Sequence, residues 1–286
     1  MRDLLRDGDD VQKLNSQLPT VNSQLKEYRR IAVFGGIYNN YLALEATLED
    51  MRRREVEAVF CLGDMGAFGP HPDRVFPLLE EGKVLAIQGN YDQSLATGLD
   101  NCRCGYTDPR DNYFARLSYE YTFRNTSPEN RTWLGRLPTH RRVRLGPYRV
   151  LMSHGSPRRI NEFLWESTSP NCLLEKFCRD FETDVLLCTH TGIKWHRALD
   201  GYGHIINVGT IGRPENDGQV NVWYTLLTAG DDLQVDFVPV YYDHERFARE
   251  MEQEDLPPEF VETIRTGWWT TCLEILPGKE RARGKY

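Results

Sequence analysis

The chain has 286 residues, of which 40% are hydrophobic, so it is long enough to bury a sizeable core. Its net charge of −7 and pI near 5.6 exclude the basic footprint of a nucleic-acid-binding protein. No apolar run approaches the roughly 20 residues of a membrane span, no apolar signal segment opens the chain, and the seven cysteines are scattered, so we expect a reduced, cytoplasmic protein.

The first predicted elements alternate between strand and helix. Residues 1–28 are polar and charged with sparse leucines, and we expect them to form an arm outside the core. From Arg30 to Gln88 the pattern is strand, helix, strand, helix, strand. Asn40 is predicted to cap the first of these helices, whose apolar positions form one broad face. This part of the chain therefore predicts an α/β core.

Residues 92–138 interrupt the alternation. They contain a turn-rich stretch over residues 100–109 and then two helical stretches, the second of which starts at Ser127 with proline at its first position. We interpret this segment as an insertion that caps the strand ends.

Strands dominate the next hundred residues, from Arg141 to Val240, with one helix near residues 170–179. After that point the pattern returns to helix. We therefore predict one domain over residues 29–240 and a helical extension over residues 241–286.

Four short polar segments each follow a run that is typical of a buried strand. They are Gly63-Asp64, Gly89 to Asp92, His154-Gly155 and Thr189 to Thr191. The carboxyl ends of successive strands are where open α/β sheets place their sites. An Asp, an Asn and two His side chains are an oxygen and nitrogen ligand set for a divalent metal such as Mn, Fe or Zn. The alternative is that these are turn and hydrogen-bonding residues without a metal.

The order and spacing of these segments resemble the calcineurin-like metallophosphoesterase superfamily, in particular its small bacterial phosphodiesterase and diadenosine-tetraphosphatase-like branch. The resemblance runs from about Arg30 to about Pro239, and framing segments such as Gly69-Pro70 and Asn207 to Pro214 agree with it. It implies an α/β sandwich of two mixed β-sheets with helices on both outer faces, and metal-dependent hydrolysis of a phosphoester.

The chain departs from the family pattern at specific positions. Gly36 and Tyr38 stand where the family has its opening Asp-x-His, and Gly192 stands where it has the last His of Gly-His-Thr-His. The resemblance thus implies a complete ligand set for one ion: Asp64, Asn90, His154 and His190. A two-metal site clamps both the attacking and the leaving oxygen, and here the other ion keeps only a share of Asp64. We predict one divalent transition metal (Mn, Fe or Zn).

Catalysis is affected separately at position 91, where Tyr91 replaces a family His near the scissile phosphate. A general acid contributes typically about 10²–10⁴-fold, and a tyrosine with a reference pKa of about 10 is a poor proton shuttle near neutrality. Asp92 is retained and is expected to orient residue 91. We predict Tyr91 and Asp92 as the catalytic positions of an altered mechanism.

A phosphorylated small molecule is the expected partner, and basic or aromatic side chains near the motifs are the candidates for binding it. The candidates are Tyr38, Arg158, Arg159, Lys194, His196 and Arg213. Arginines bind phosphate bidentately, but they are as often structural. Tyr38 has a second interpretation, as a filler of the volume left by the first ion.

The Cys102-x-Cys104 segment has two interpretations. A lone C-x-C is a poor metal signature, which favours two small residues in a turn. Alternatively, the insertion folds over the site and supplies thiolates to a rebuilt second metal position, with Cys188 as a third sulfur ligand.

Two classes of function stay open. The first is a phosphoester hydrolase with one metal. The second is a non-catalytic or regulatory protein that keeps the fold and a ligand site. The simultaneous changes at Gly36, Tyr38, Tyr91 and Gly192 favour the second class, and the intact set of four ligands favours the first.

Overall fold

The computed structural model describes residues 25–285, which form two β-sheets packed face to face. Residues 1–24 of the predicted arm lie outside the described residues. Glu27–Tyr28 form a strand, because Tyr28 is 4% exposed and packs edge-on against Phe60 of the opposite sheet. The sheet therefore begins inside the segment that the sequence predicted as an arm.

Eleven strands build the two sheets over the described residues. They are β1 (Glu27–Tyr28), β2 (Arg30–Phe34), β3 (Ala58–Cys61), β4 (Leu85–Ala86), β5 (His140–Leu145), β6 (Tyr148–Ser153), β7 (Val185–Cys188), β8 (Trp195–Leu199), β9 (Gly203–Asn207), β10 (Val222–Ala229) and β11 (Leu233–Val240). One sheet has the order β1-β5-β6-β7-β9-β8 and the other β11-β10-β2-β3-β4. Strands β2, β3 and β4 run parallel, as do β6, β7 and β9, so each sheet presents a set of carboxyl ends at one edge.

The helices flank the sheets. They are α1 (Tyr41–Arg53), α2 (Val75–Glu81), α3 (Asn90–Thr97), α4 (Pro109–Asn125), α5 (Pro128–Leu134), α6 (Asn171–Asp180), α7 (His244–Gln253), α8 (Pro258–Thr266) and α9 (Gly278–Arg281), with a 3₁₀ turn at Pro72–Arg74. Asn40 caps α1 by accepting a hydrogen bond from the Ala43 amide, as predicted. Ser127 caps α5 in the same way. None of the helices described over residues 25–285 is long and apolar enough to cross a membrane.

Alternation along the strands creates three apolar layers, since successive side chains point to opposite faces of a sheet. Ile31 and Val33 of β2 point between the sheets, where they join Phe60 and residues of the opposite sheet in one core. Phe34, by contrast, packs under helices on the outer face of its sheet. The other sheet is covered by α6 through Phe177. The predicted sandwich with helices on both faces is confirmed.

Strand β4 is shorter than the predicted strand over residues 83–88. Lys83, the first residue of the predicted strand, has a positive φ of 49°, so its backbone is not extended and the strand starts later. Gln88 donates from its backbone to Pro138 and from its side chain to Leu134, both in the insertion. The insertion therefore pairs with this end of the edge strand β4, on the side away from β3.

The insertion and the carboxy-terminal extension cover the same edge of the sandwich. Phe114 of α4 and Phe68 of the loop after β3 both pack on Phe260 of α8, with ring centroids 5.8 Å and 4.5 Å away. Arg110 of α4 donates to the carbonyl of Thr270. These contacts place both segments over the strand ends that carry the polar motifs.

Candidate metal centre

Three of the predicted ligands converge where the two sheets present their strand ends. Asp64 follows β3 of one sheet, whereas His154 and His190 follow β6 and β7 of the other. One ligand atom from each of the three side chains lies within 4.8 Å of the others. Asp64 and His154 are buried and His190 is partly buried. The site therefore joins the two sheets, which is why its ligands are so far apart in sequence.

The backbone at this junction is held in an uncommon conformation. Asp64 and His190 have positive φ values of 61° and 40°, a region that non-glycine residues rarely adopt. Such a residue costs on the order of 1–3 kcal/mol and persists where the surroundings impose it. Gly89 is needed for a different reason, since a Cβ there would lie 2.2 Å from an oxygen of the Asp64 carboxylate.

His154 presents one ring nitrogen to the site. Its Nδ1 atom is 2.6 Å from the Leu62 carbonyl oxygen, which only accepts, so Nδ1 carries the proton and donates it there. In the neutral ring Nε2 is then unprotonated, and it lies 3.2 Å from Oδ2 of Asp64. Burial lowers the pKa of His154, but the Asp64 carboxylate, the Leu62 carbonyl and Asp92 together raise it more, so the net shift is upward from 6.5.

His190 is arranged in the complementary way. Its Nε2 atom is 3.1 Å from the Cys104 carbonyl oxygen and must donate to it, which leaves Nδ1 unprotonated. Burial, followed by the neighbouring His154, lowers the pKa of His190 to about 3, so the ring is neutral at physiological pH. Nδ1 of His190 lies 3.1 Å from Nε2 of His154. In the neutral rings, two nitrogen lone pairs and a carboxylate oxygen thus face one another.

Asn90, the first residue of α3, supplies a further oxygen. Its amide nitrogen donates to the Cys102 carbonyl at 2.9 Å and lies 3.5 Å from the Cys104 sulfur. These two contacts distinguish the nitrogen of the amide from its oxygen, and they leave Oδ1 buried without a hydrogen-bond partner. Oδ1 of Asn90 is thus a buried acceptor without a donor, and the next residue, Tyr91, donates from its backbone to the Asp64 carboxylate. Together with Asp64 and the two imidazoles, this oxygen completes a ligand set that fits a divalent cation of the Mn, Fe or Zn type.

Asp92 holds the ligand loops in place. Its carboxylate accepts hydrogen bonds from the backbone amides of Asp64, Met65 and Gly89, at 2.8–3.0 Å. Burial and the nearby Asp64 raise the pKa of Asp92 to about 6. The contacts of Asp92 are thus with the backbone around the ligands; its predicted catalytic role stays a prediction.

Tyr91 is 3% exposed and points into the insertion. Its hydroxyl is 2.8 Å from the Ser118 hydroxyl, its ring packs edge-on against Tyr119, and its backbone amide donates to Asp64. Burial raises its pKa well above 10. A tyrosine in this environment stays protonated, and the catalytic role predicted for it is untested.

Tyr38 fills the space at Gly36, one of the positions where the chain departs from the family pattern. A Cβ placed on Gly36 would lie 2.5–2.8 Å from three atoms of the Tyr38 side chain, so the ring stands where a side chain at position 36 would be. At Gly192 a Cβ would have ordinary contacts, the nearest being 3.5 Å away, although φ is +75° there. The geometry agrees with Tyr38 as a filler of vacated volume.

Arg213 lines the cavity beside Asp64, as do Tyr38 and His190. Of the other four residues predicted to bind substrate, three have partners elsewhere and one is exposed. Lys194 pairs with Glu215 and lies over the Trp223 ring, and Arg158 pairs with Glu162. His196 is 3.0 Å from His204 on the adjacent strand, and Arg159 is exposed. Their role in binding substrate stays a prediction.

The structure agrees with some of the expectations for the cysteines and differs from others. Cys102 and Cys104 are joined as a disulfide rather than being reduced, because a turn with Arg103 at a positive φ of 50° brings them together over Asn90. The insertion thus folds over the site, but the two sulfurs are bonded to each other. Cys188 lies in the apolar layer under α6, so the suggestion that it is a third sulfur ligand is wrong.

Sequence reasoning missed several residues of the cavity. Tyr106 of the insertion and Thr271 and Cys272 of the carboxy-terminal segment line it together with Phe260. None carries a local motif. The only signal in the sequence was the adjacent Trp268-Trp269 pair, of which Trp269 is 1% exposed and anchors this segment by donating to the Pro214 carbonyl.

A sandwich of two mixed sheets that brings an Asp and two His side chains together at its strand ends has the architecture of a metallophosphoesterase. The chain belongs to the calcineurin-like phosphoesterase superfamily, whose domain model matches residues 30–231. This family usually binds divalent metals, and the convergence of Asp64, His154 and His190 agrees with it.

Relatives cover nearly the whole domain. An uncharacterized protein of Methanocaldococcus jannaschii is 24% identical over 251 residues, which cover 83% of this chain and 98% of that protein. The crystal structure of a hypothetical protein from Pyrococcus horikoshii matches with a TM-score of 0.72 at 23% identity, over 85% of this chain and 100% of that one. A metallophosphoesterase from Sphaerobacter thermophilus matches with a TM-score of 0.65 at 23% identity, over 84% and 99%. At these identities the likeness shows a shared fold.

Proposed function

We propose that this protein is a metal-dependent phosphoesterase that works with one divalent transition metal (Mn, Fe or Zn), held by Asp64, Asn90, His154 and His190. The observation that carries the proposal is the pair of imidazole lone pairs, Nε2 of His154 and Nδ1 of His190, that face each other at 3.1 Å beside the Asp64 carboxylate. Without a cation or a shared proton between them, the two nitrogen lone pairs and the carboxylate oxygen repel one another.

A bound ion of this kind polarises a phosphoryl oxygen and lowers the pKa of its water. The chain prepares the site for that chemistry. Leu62 and Cys104 hold the two imidazoles by their other nitrogens, which fixes the tautomers and the ring orientation. Asp92 fixes the loop of Asp64 through backbone hydrogen bonds. The insertion covers the site and restricts access of water to it.

The expected substrate is a phosphorylated small molecule. The cavity beside Asp64 is lined by aromatic side chains and by one cation, Arg213. The surface around it gives no reason to expect a nucleic acid, since the chain carries a net charge of −7.

The test is hydrolysis of p-nitrophenyl phosphate and bis-p-nitrophenyl phosphate with Mn, Fe, Zn, Ni or Mg. We expect low activity that depends on the metal and disappears in Asp64→Ala. Asp231→Ala, which removes an exposed carboxylate in a turn, is the matched control and should keep the activity of the native chain. Activity that survives Asp64→Ala would refute the proposal.

The second candidate is a regulatory protein that binds a ligand without hydrolysing it. One observation favours it: the Tyr91 hydroxyl is engaged by Ser118 and stays protonated, so position 91 offers no proton shuttle near neutrality. If the native chain binds metal but hydrolyses neither of these esters with any of the five metals, this candidate becomes the better one.

A further inference from the structure

Arg213 is a buried cation that forms no ion pair within the described residues. Its side chain belongs to a residue only 8% exposed. Its Nε atom is buried without a hydrogen-bond partner, and no ion pair joins it to another residue in the part of the chain that the structure describes. A buried charge is strongly unfavourable unless it is paired, so the guanidinium lacks a partner that a ligand can supply.

Aromatic rings hold this guanidinium in place. Its carbon lies 3.6 Å from the centroid of the Trp269 ring and 5.9 Å from those of Tyr38 and Phe68. Such contacts stabilise a cation electrostatically, but they leave its hydrogen-bond donors unused. The arginine is therefore positioned and still able to bind an anion.

The cavity next to it has the size of one phosphoryl group. It measures about 60 Å³ and is lined by Arg213, Asp64, His190, Tyr38 and Tyr106, among others. A water molecule needs roughly 10–15 Å³ measured in this way, so the cavity holds about four waters or one phosphorus with its oxygens. Tyr38 and Tyr106 on this lining carry hydroxyls that can donate to an anion.

The position of Arg213 relative to the two glycines is informative. A Cβ at Gly192 would lie 3.8 Å from Nη2 of Arg213, and the side chain of Tyr38, which is near the guanidinium, covers Gly36. The permanent charge thus stands near Gly192 and near Tyr38, two of the three positions at which this chain departs from the family's ligands for the other ion.

We propose that Arg213 forms an anion subsite for a single, terminal phosphoryl group, and that its guanidinium provides a fixed positive charge where a second ion has no ligands. The substrate class that this subsite takes is a phosphomonoester, because a terminal phosphoryl group presents more negative charge and more free oxygens to the guanidinium than a phosphate with two organic substituents does. The inference deepens the proposed function, and the identity of the anion as substrate rests on that function.

The experiment is calorimetric titration of inorganic phosphate, and in parallel of dimethyl phosphate, into the full chain with and without metal. We expect the metal-free native protein to bind phosphate more tightly than dimethyl phosphate. Arg213→Gln should weaken phosphate binding roughly 10- to 100-fold, and Arg213→Lys should retain part of it, because lysine keeps the charge but loses the planar donor pair. Arg116→Gln is the matched control, since Arg116 is exposed and forms an ion pair with Glu120.

A second measurement needs no variant, because loss of the Trp269 contact can unfold Arg213→Gln. In native protein labelled with ¹⁵N, the Nε–H signal of Arg213 should shift when phosphate is added, since the buried Nε gains an acceptor. An unchanged Nε–H signal at saturating phosphate would overturn the proposal. Equal phosphate affinity in folded Arg213→Gln and native protein would overturn it as well.

The outcomes separate this inference from the proposed function. Phosphate binding that depends on Arg213 in a protein that hydrolyses nothing would support the anion subsite and refute the phosphoesterase. Hydrolysis that depends on Asp64 together with phosphate binding that is indifferent to Arg213 would do the reverse.

Discussion

Nε2 of His154 and Nδ1 of His190 lie 3.1 Å apart, while each ring directs its other nitrogen at a backbone carbonyl. The two carbonyls, of Leu62 and Cys104, come from different parts of the fold and set the tautomer of each ring independently. In the neutral rings both facing nitrogens carry lone pairs. The fold has thus arranged two electron-pair donors and a carboxylate around one point, which is the basis of the metal site proposed here.

Replacing His154 with Ala is expected to remove the metal. Outer-shell partners alone change metal affinity by roughly 10–100-fold, so loss of a ligand should exceed that. Metal content after dialysis is the measurement, by elemental mass spectrometry. His244→Ala, at the start of α7 and away from the site, is the control and should keep its metal. Full metal content in His154→Ala would show that the ligand assignment is wrong.

The contact between Gly36 and Tyr38 predicts non-additive stabilities. Gly36→Ala should destabilise the fold by about 1–3 kcal/mol, because the new Cβ overlaps the Tyr38 ring. In a Tyr38→Ala background the part of that loss due to overlap with the ring should disappear, whereas the part due to the positive φ of 24° at Gly36 should remain. Chemical denaturation of the two single variants and the double variant measures the coupling.

Gly278→Ala serves as the control for this cycle, since a Cβ there meets no atom within 4 Å. It should have little effect on the free energy of unfolding. Additive effects of Gly36→Ala and Tyr38→Ala would mean that the Tyr38 ring does not occupy the space at position 36.

Tyr91→Phe tests the catalytic role predicted for this residue. The variant loses the hydrogen bond to Ser118, so we expect the free energy of unfolding to fall by about 1 kcal/mol. The buried hydroxyl does not release its proton near neutrality, so its removal should change kcat less than tenfold. Loss of a general acid would instead cost about 10²–10⁴-fold. A fall in kcat of that size, with stability unchanged, would establish Tyr91 as catalytic.

Metal affinity should depend on pH through one histidine rather than two. The pKa of His154 is raised above 6.5, so protons compete with the metal as the pH falls through that range. The pKa of His190 is lowered to about 3, so that ring competes only in strong acid. The apparent affinity should therefore fall by about one order of magnitude per pH unit between roughly pH 5 and 6. Titrations at several pH values measure this slope, and a slope near two would contradict it.

The candidate ligands were predictable from sequence because each follows a strand closely. Asp64, Asn90, His154 and His190 come three, four, one and two residues after the ends of β3, β4, β6 and β7. Parallel strands end at the same edge of a sheet, and two sheets packed face to face bring their edges together. Local pattern and fold class were thus enough to predict that Asp64, His154 and His190 lie close together, as they do in the structure.

The remainder of the cavity depends on contacts that local patterns do not encode. Tyr106 and Cys272 reach the site only because the insertion and the carboxy-terminal segment pack on each other. Conversely, Lys194 follows His190 closely in sequence, but it forms an ion pair with Glu215, 21 residues further on. A basic residue near a motif was therefore a weaker guide than the strand ends themselves.

Metal stoichiometry tests the central claim most directly. The full chain should be purified without added chelator and its metals quantified by elemental mass spectrometry against protein concentration. We predict close to one transition metal per chain, and less than a tenth of that in His154→Ala. Two tightly bound ions per native chain would contradict the single-ion site, and a native chain that takes up no Mn, Fe or Zn would contradict the site altogether.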